Sequence, residues 1–239
     1  MPSVPLSSEN LAIVVKGHFK AAIFSPAWMW KQELIGPVEY EAAEVEIISA
    51  DVAKFRCMWL DCFISPDTLQ FSTTDDAEFE RVRDAMVGVL RILDQTPIAA
   101  LGINRSMTIQ ISSPDRWHSL GDKLIPKEPW EDVLKLPGMA ELTLWGVRPD
   151  LYSGRIAVVI GPTPDQGVSI AYNDHYELDR VESQPTKRED MPDFRPNAVV
   201  EATQEKISIA TEILLENFES SLTRANDLAN HVFKMGEKE

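Results

Sequence analysis

Residues 199–233 read VVEATQEKISIATEILLENFESSLTRANDLANHVF, the longest periodic stretch of the chain. Apolar residues recur there at steps of three and four, at Ile207, Ala210, Leu214, Phe218, Leu222, Ala225, Leu228 and Val232. This spacing places them on one face of a helix, which is roughly 45–50 Å long at about 1.5 Å per residue. A helix of that length can cross a whole sheet, so the stretch predicts a sheet protein covered by its C-terminal helix.

The rest of the chain supplies the strands of that sheet. Ser25-Pro26 and Ser113-Pro114 each predict the start of a short helix, since serine caps a helix and proline is tolerated in its first turn. A third helix is expected from Thr73 to about Asp94, with Asp75 as its cap. Strands are predicted at residues 10–24, 38–50, 54–64, 69–73, 99–112, 141–147, 155–160 and 168–178.

This order of elements predicts an α+β fold with an extended, curved antiparallel sheet and helices on one face. Residues 10–96 and 97–239 both read as strand, short helix, further strands and longer helix, which suggests two βαβββα-like pseudo-repeats. Paired in one sheet, they would resemble in shape the saddle of the TATA-binding-protein class. The alternative is an α+β domain without duplication. We expect a single domain over residues 1–239, with a mobile loop at 182–197.

Composition excludes several classes of protein. No window approaches about 18 consecutive apolar residues, which argues against a membrane span, and residues 1–5 lack the pattern of a secretory signal. Cys57 and Cys62 are too few for a zinc ribbon, and their odd spacing within one predicted strand places them on opposite faces. We therefore expect a cytoplasmic protein without disulfides.

The charge balance argues against direct binding of nucleic acid. The chain has 38 acidic and 23 basic residues, a formal net charge of −15, and an acidic surface repels phosphates. The basic residues that lie nearest to one another form only a weak local patch in the sequence: Arg148, Arg155, Lys187, Arg188 and Arg195. An acidic inhibitor that mimics nucleic acid remains an alternative.

One polar cluster could carry chemistry. His175, Glu177 and Asp179 alternate along a predicted strand and so share a face. An imidazole and two carboxylates could ligate a divalent cation or form an acid–base pair, as in a metal-assisted hydrolase or transferase. The structural alternative is a solvent-facing strand. The chain has no glycine-rich nucleotide-binding motif, and we expect no cofactor.

Four tryptophans are candidates for contact with a partner. Trp28, Trp30, Trp117 and Trp130 lie in predicted short helices, where an exposed indole can anchor a protein. Packing in the core is the alternative for each of them. Trp59 and Trp145 lie in predicted strands, and we expect both in the core.

Three segments together resemble a sporadically distributed bacterial family of uncharacterised proteins of about this length. They are the strand from Asn10 to Phe24-Ser25-Pro26, the stretch Leu69 to Thr74 with the helix that follows it, and the strand at Ala100 to Arg105. In the third segment the polar residues are shifted from the family's pattern. The family has no established activity to carry over, but its patchy distribution is typical of bacterial defence, mobile-element or phage-conflict systems.

These observations predict a non-catalytic protein–protein interaction or assembly component, with a protein partner or a homo-oligomer and no membrane contact. The long helix and the loop at 182–197 are the predicted docking elements. The metal-assisted enzyme and the acidic inhibitor are the alternatives.

Overall fold

One antiparallel sheet of nine strands organises the chain, whose computed structural model describes residues 4–190 and 204–238. The strands lie in the order β2-β3-β4-β5-β1-β6-β9-β8-β7, so β2 and β7 form the two edges. Their bounds are β1 Leu6–Gly17, β2 Glu44–Ile48, β3 Ala53–Cys57, β4 Leu60–Ser65, β5 Thr68–Thr73, β6 Ile98–Gln110, β7 Leu142–Val147, β8 Tyr152–Pro162 and β9 Gly167–Arg180. The predicted α+β class with a curved antiparallel sheet is confirmed.

Helices cover one face of this sheet. The α-helices are α1 Pro26–Lys31, α2 Pro37–Glu41, α3 Phe79–Ile92, α4 Pro114–Leu124, α5 Gln204–Glu212 and α6 Phe218–Glu237. Short 3-10 turns lie at Ala21–Ile23, Asp76–Glu78, Glu128–Trp130 and Arg188–Asp190. Alternate strand residues such as Leu11, Ile13 and Val15 are buried under the helices, as expected for a half-buried antiparallel sheet. None of the helices in the described ranges is both long and apolar enough to cross a membrane.

The two Ser-Pro helix starts are confirmed and share one geometry. The Trp28 backbone N–H donates to Ser25 Oγ at 3.1 Å, and the Arg116 N–H donates to Ser113 Oγ at 3.4 Å. Ser25 and Ser113 have nearly the same backbone angles, φ −155° and ψ 159° against φ −156° and ψ 157°. Each cap satisfies an amide that the first turn of the helix leaves unpaired.

Three predicted strands are wrong in extent. The strand predicted at 10–24 ends at Gly17, and Ala21–Ile23 form a 3-10 turn. Residues 38–50 do not form one strand, because Gly36-Pro37 begins the short helix α2 and the strand starts only at Glu44. Residues 54–64 form the hairpin β3–β4, which turns at Met58 with a positive φ of 53°. Since Cys57 and Cys62 lie on the two strands of that hairpin, both point into the core, and the prediction of opposite faces is wrong. The two thiols are free.

The strand order has the same pattern on both sides of the central pair β1–β6. Outward from the centre, each half continues with its last strand and then with the preceding strands in reverse order: β5-β4-β3-β2 on one side, β9-β8-β7 on the other. The second half is one strand shorter. Duplication of the two halves stays a prediction, with which this order is compatible.

The C-terminal helix is confirmed over Gln204–Glu237, and residues 199–203 lie outside the described part of the chain. It contains a π-helical turn at Ile213–Asn217, between α5 and α6. Its apolar face packs on the sheet and is therefore not free for docking. Of the predicted loop at 182–197, residues 191–197 also lie outside the described range.

Candidate interaction surface

The four candidate tryptophans occupy different environments. Trp28 is half-buried against Phe24, at 5.1 Å between ring centroids, and Trp117 is half-buried, its indole N–H donating to the Gly167 carbonyl at 2.9 Å. Trp30 and Trp130 are exposed.

Trp30 and Trp117 line separate cavities. The Trp30 ring stacks on Tyr40 at 4.8 Å and borders a groove of about 810 Å³ between the α1–α2 segment and α3. Trp117 borders a pocket of about 210 Å³ beside Pro162 and Val168. The two cavities share no lining residue, so the predicted partner-binding residues do not form one surface.

The expectation for Trp145 is wrong. It lies on the edge strand β7, and 53 % of it is exposed. Its indole faces the Arg155 guanidinium at 5.8 Å from the ring centroid. Trp59 is partly buried against the core, as expected, with its indole N–H donating to Glu39 at 3.3 Å and the Arg81 guanidinium 4.2 Å from its ring.

Exposed apolar side chains occur on β7 and, interspersed with charged residues, in the segment that precedes it in the chain. We call this set the β7 surface; it comprises Trp130, Val133, Leu134, Leu136, Leu144 and Trp145. β7 itself contains no charged residue and no proline. It packs against β8, and no helix makes a comparable contact with it in the described ranges.

The other edge of the sheet is protected. β2 contains Glu44 and Glu46, and its pairing with β3 has a bulge between Val45 and Ile47. Charges and bulges are the usual means by which proteins keep an exposed edge from pairing with another chain. β7 has neither, although both strands expose apolar side chains to a similar degree.

A buried ion-pair network fixes the C-terminal end of β7. Arg148, which directly follows the strand, donates to Asp174 on β9 and makes a two-point contact with Asp150, at 2.9 Å and 2.7 Å. Asp174 also accepts from Arg224 on α6 at 2.6 Å. The side chains of Arg148 and Asp174 are fully buried. β7 is thereby connected to both the sheet and the long helix.

Aromatic and amide groups complete this network. The Arg148 guanidinium lies 3.4 Å from the centroid of the Tyr176 ring, and Asn217 in the π-turn donates to Asp150 at 3.3 Å. Burial works against ionisation of Asp150, but the Arg148 hydrogen bond, the Arg148 and Arg224 charges and the Tyr152 amide together lower the pKa of Asp150. Because Arg148 is buried and neutralised, it does not belong to an exposed basic patch.

The predicted cluster at His175, Glu177 and Asp179 does not form a ligand set. Burial lowers the pKa of His175, so its neutral form prevails at neutral pH, and Glu177 accepts from Ser153 at 2.7 Å. Leu178 has a positive φ of 59°, which interrupts the alternation before Asp179. Within residues 4–190 and 204–238, no three His, Cys, Asp or Glu residues are grouped so that they could hold a metal ion.

The sequence alone could identify Asp174 and the uncharged strand β7 only in part. Asp174 has the same strand parity as Ile170, Tyr172 and Tyr176, which are all buried, so alternation alone marks it as a carboxylate on the core face. The absence of charge from 142–147 is also visible in the sequence. Its significance depends on β7 being an edge strand, which the sequence does not reveal.

The chain matches no family model. A search of curated proteins finds no match to it either. The family resemblance therefore stays a prediction, and the function is inferred from the surface itself.

Proposed function

We propose that this protein is a non-catalytic interaction or assembly component that binds another polypeptide through the β7 surface. One observation supports this function: an uncharged edge strand and the segment before it expose six large apolar side chains. Exposed apolar patches of this kind mark sites of protein–protein contact.

The β7 surface offers side chains on both faces of the edge strand, since successive residues such as Leu144 and Trp145 point to opposite faces. Each of its six side chains is about half exposed or more. Two tryptophans are among them, the residue type most enriched among side chains that dominate binding energies. The outer backbone groups of β7 would add hydrogen bonds to a partner strand.

Strand addition is the mode of binding that this geometry supports. Among residues 4–190 and 204–238, β8 is the one strand that pairs with β7, so the outer backbone N–H and C=O groups of β7 have no strand partner there. A partner strand would pair with these groups, while its side chains contact Leu144 on one face and Trp145 on the other. The Arg148 network fixes the strand before binding, which lowers the entropic cost of docking.

The resemblance to the sporadic bacterial family extends the proposal to a component of a defence, mobile-element or phage-conflict system. In that setting a binding surface is sufficient for function. A metal-assisted reaction has no supporting group of ligands in the described ranges. The acidic inhibitor rests on net charge alone.

Site-specific photo-crosslinking in the native host tests the proposal. A benzophenone amino acid at position 145 is expected to form a covalent adduct with a polypeptide, with and without nuclease treatment. Val45 is the matched control, since it is also 53 % exposed and lies on the opposite edge strand. The proposal further requires that Leu144→Lys abolishes the adduct from position 145. Equal adducts from both positions, or none from 145, would contradict it.

A further inference from the structure

We propose that the partner of the β7 surface is a second copy of this chain, joined by antiparallel pairing of the two β7 strands about a twofold axis. The inference rests on the proposed function and specifies its partner. The product is a continuous sheet of eighteen strands, with both copies fixed at the joint by their Arg148 networks.

In the described ranges, the sheet has one strand fewer on this side of the central pair than on the other. Four strands lie outside β1, but only three lie outside β6. By position β7 corresponds to β3, whose outer edge is covered by β2. In chain order β2 follows the short helices α1 and α2, whereas residues 125–141, which follow α4, form no strand. A strand from another chain would fill the vacant position, and β2 pairs antiparallel at the corresponding place.

The sequence of β7 is compatible with pairing to itself. Residues opposite each other in an antiparallel pair point to the same face, so a twofold axis normal to the sheet lies midway between the strands and places one residue opposite its own copy. With the axis at Leu144, Thr143 faces Trp145 and Leu142 faces Gly146. With the axis at Trp145, the two indoles face each other. Every facing pair within the strand is uncharged in both registers.

The same symmetry is unfavourable at β2. An axis at Val45 places Glu44 opposite Glu46, and an axis at Glu46 places that carboxylate opposite its own copy. Like charges directly opposite each other destabilise a strand pair. The bulge between Val45 and Ile47 further disrupts a straight edge. Of the two sheet edges, β7 is therefore the one suited to a second copy.

The net charge of the chain also favours β7 as the contact between two copies. Each copy has a formal charge of −15, so two copies repel over most of their surfaces. The strand itself contributes no carboxylate to such a contact, and Glu141, directly before it, is the nearest acidic residue along the chain. Closed twofold contacts of this kind are the commonest way in which identical chains associate.

Cysteine crosslinking locates the axis directly. Leu144→Cys and Trp145→Cys are made singly, and Ile47→Cys on β2 is the control; Leu144 is 49 % and Ile47 44 % exposed. The native Cys57 and Cys62 are buried, and burial raises the pKa of both thiols, so they do not compete under mild oxidation. We expect a disulfide-linked dimer from position 144 or 145 and none from position 47, since a thiol on the axis faces its own copy at bonding distance.

Sedimentation equilibrium of the full chain gives the second readout. The wild type is expected to be a dimer, and Leu144→Lys is expected to raise the dimer Kd about 100-fold or more, because two ammonium groups then approach each other near the axis. Ile47→Lys is expected to leave the Kd unchanged. If Leu144→Lys does not fold, Thr143→Lys on the opposite face of the same strand replaces it.

The outcomes separate this inference from the proposed function. A monomer at every concentration, or a dimer that crosslinks through position 47, overturns the second copy as partner. The photo-adduct from position 145 then decides the broader proposal: an adduct with a different polypeptide retains it, and no adduct overturns both. A monomer whose β7 amides are protected from hydrogen exchange shows that the edge is covered within one chain, and also overturns the inference.

Discussion

At the scale of single residues, Asp174 has the most demanding environment in the described structure. It is fully buried and accepts hydrogen bonds from two arginines, one of which is itself fully buried. Removing its charge would leave the Arg148 cation in the core with only Asp150 as a counterion. A buried ion pair contributes little when complete, but breaking it from one side is costly.

We therefore expect Asp174→Asn to lower the free energy of unfolding by about 3–5 kcal/mol. Asp61→Asn is the matched control, because Asp61 also makes a two-point contact with an arginine, Arg56, but at the surface. That substitution is expected to have only a small effect. Urea denaturation with comparison of midpoints measures both. Equal shifts for the two variants would show that the buried network is not a structural support of β7.

The two cysteines give a prediction with a defined pH range. Burial raises the pKa of Cys57 from about 9 to about 11 and that of Cys62 further. At about pH 8 the folded chain then has about 100-fold less thiolate at Cys57 than an ordinary cysteine. A thiol-reactive dye is expected to label neither residue rapidly in the folded protein and both in urea. A rapidly labelled thiol in the folded state would contradict the burial of the β3–β4 hairpin.

The same shift affects stability in alkali. A folded-state pKa above the unfolded value stabilises the protein below pH 9, and that contribution is lost as the pH rises from about 9 towards 11. Unfolding midpoints over this range should fall less in Cys57→Ser, which has no thiol to ionise at that position.

At the scale of elements, the π-turn at Ile213–Asn217 lies where the long helix meets the ion-pair network. A π-turn contains one residue more than a regular helical turn, and its amide side chain at Asn217 contacts Asp150. Tyr152, in the same region, donates to Glu212 at 2.7 Å, just before the turn. The extra residue thus lets both sides of the turn reach the β8–β9 end of the sheet.

Deletion of Leu215, an exposed residue within the turn, is expected to convert it to a regular α-turn and cost at most about 2 kcal/mol. Deletion of Thr223, in the regular part of α6, rotates Ala225 and Val232 out of the core by about 100°. We expect that variant to lose more than about 4 kcal/mol or to remain unfolded. Thermal unfolding by circular dichroism compares the two, and equal losses would mean that the π-turn itself is essential.

The sequence predicted most elements because their signals are local. The steps of three and four in the C-terminal helix and the serine caps at Ser25 and Ser113 each lie within a few residues of one another. The exceptions are strand ends and tight turns. In segment 38–50 an apolar alternation masked the helix that begins at Pro37, and in segment 54–64 it masked the turn at Met58.

At the scale of the whole molecule, the neighbours of each strand were not predictable in the same way. Trp145 was expected in the core because its strand is apolar, and it is exposed because that strand lies at an edge of the sheet. Strand order depends on contacts between distant segments, such as Arg148 with Asp174. Such contacts cannot be inferred from the residues next to each position in the sequence.

The net charge of −15 distinguishes an apolar joint between two copies from one based on opposite charges. If the copies meet at β7, their remaining surfaces repel, and salt weakens that repulsion. The screening length falls from about 30 Å at 0.01 M salt to about 8 Å at 0.15 M. We therefore expect the dimer Kd, measured by sedimentation equilibrium, to fall several-fold over that range of sodium chloride, because salt screens the repulsion between the two net charges.

Leu144→Lys provides the internal control for this salt dependence. Its added positive charges near the axis repel at short range, so added salt should recover part of its lost affinity, and more than it improves the Ile47→Lys dimer. A Kd that rises with salt in the wild type would instead mean that acidic groups of one copy meet basic groups of the other. Such a contact cannot be centred on a strand that has no charge, so this outcome would assign the association to another part of the surface.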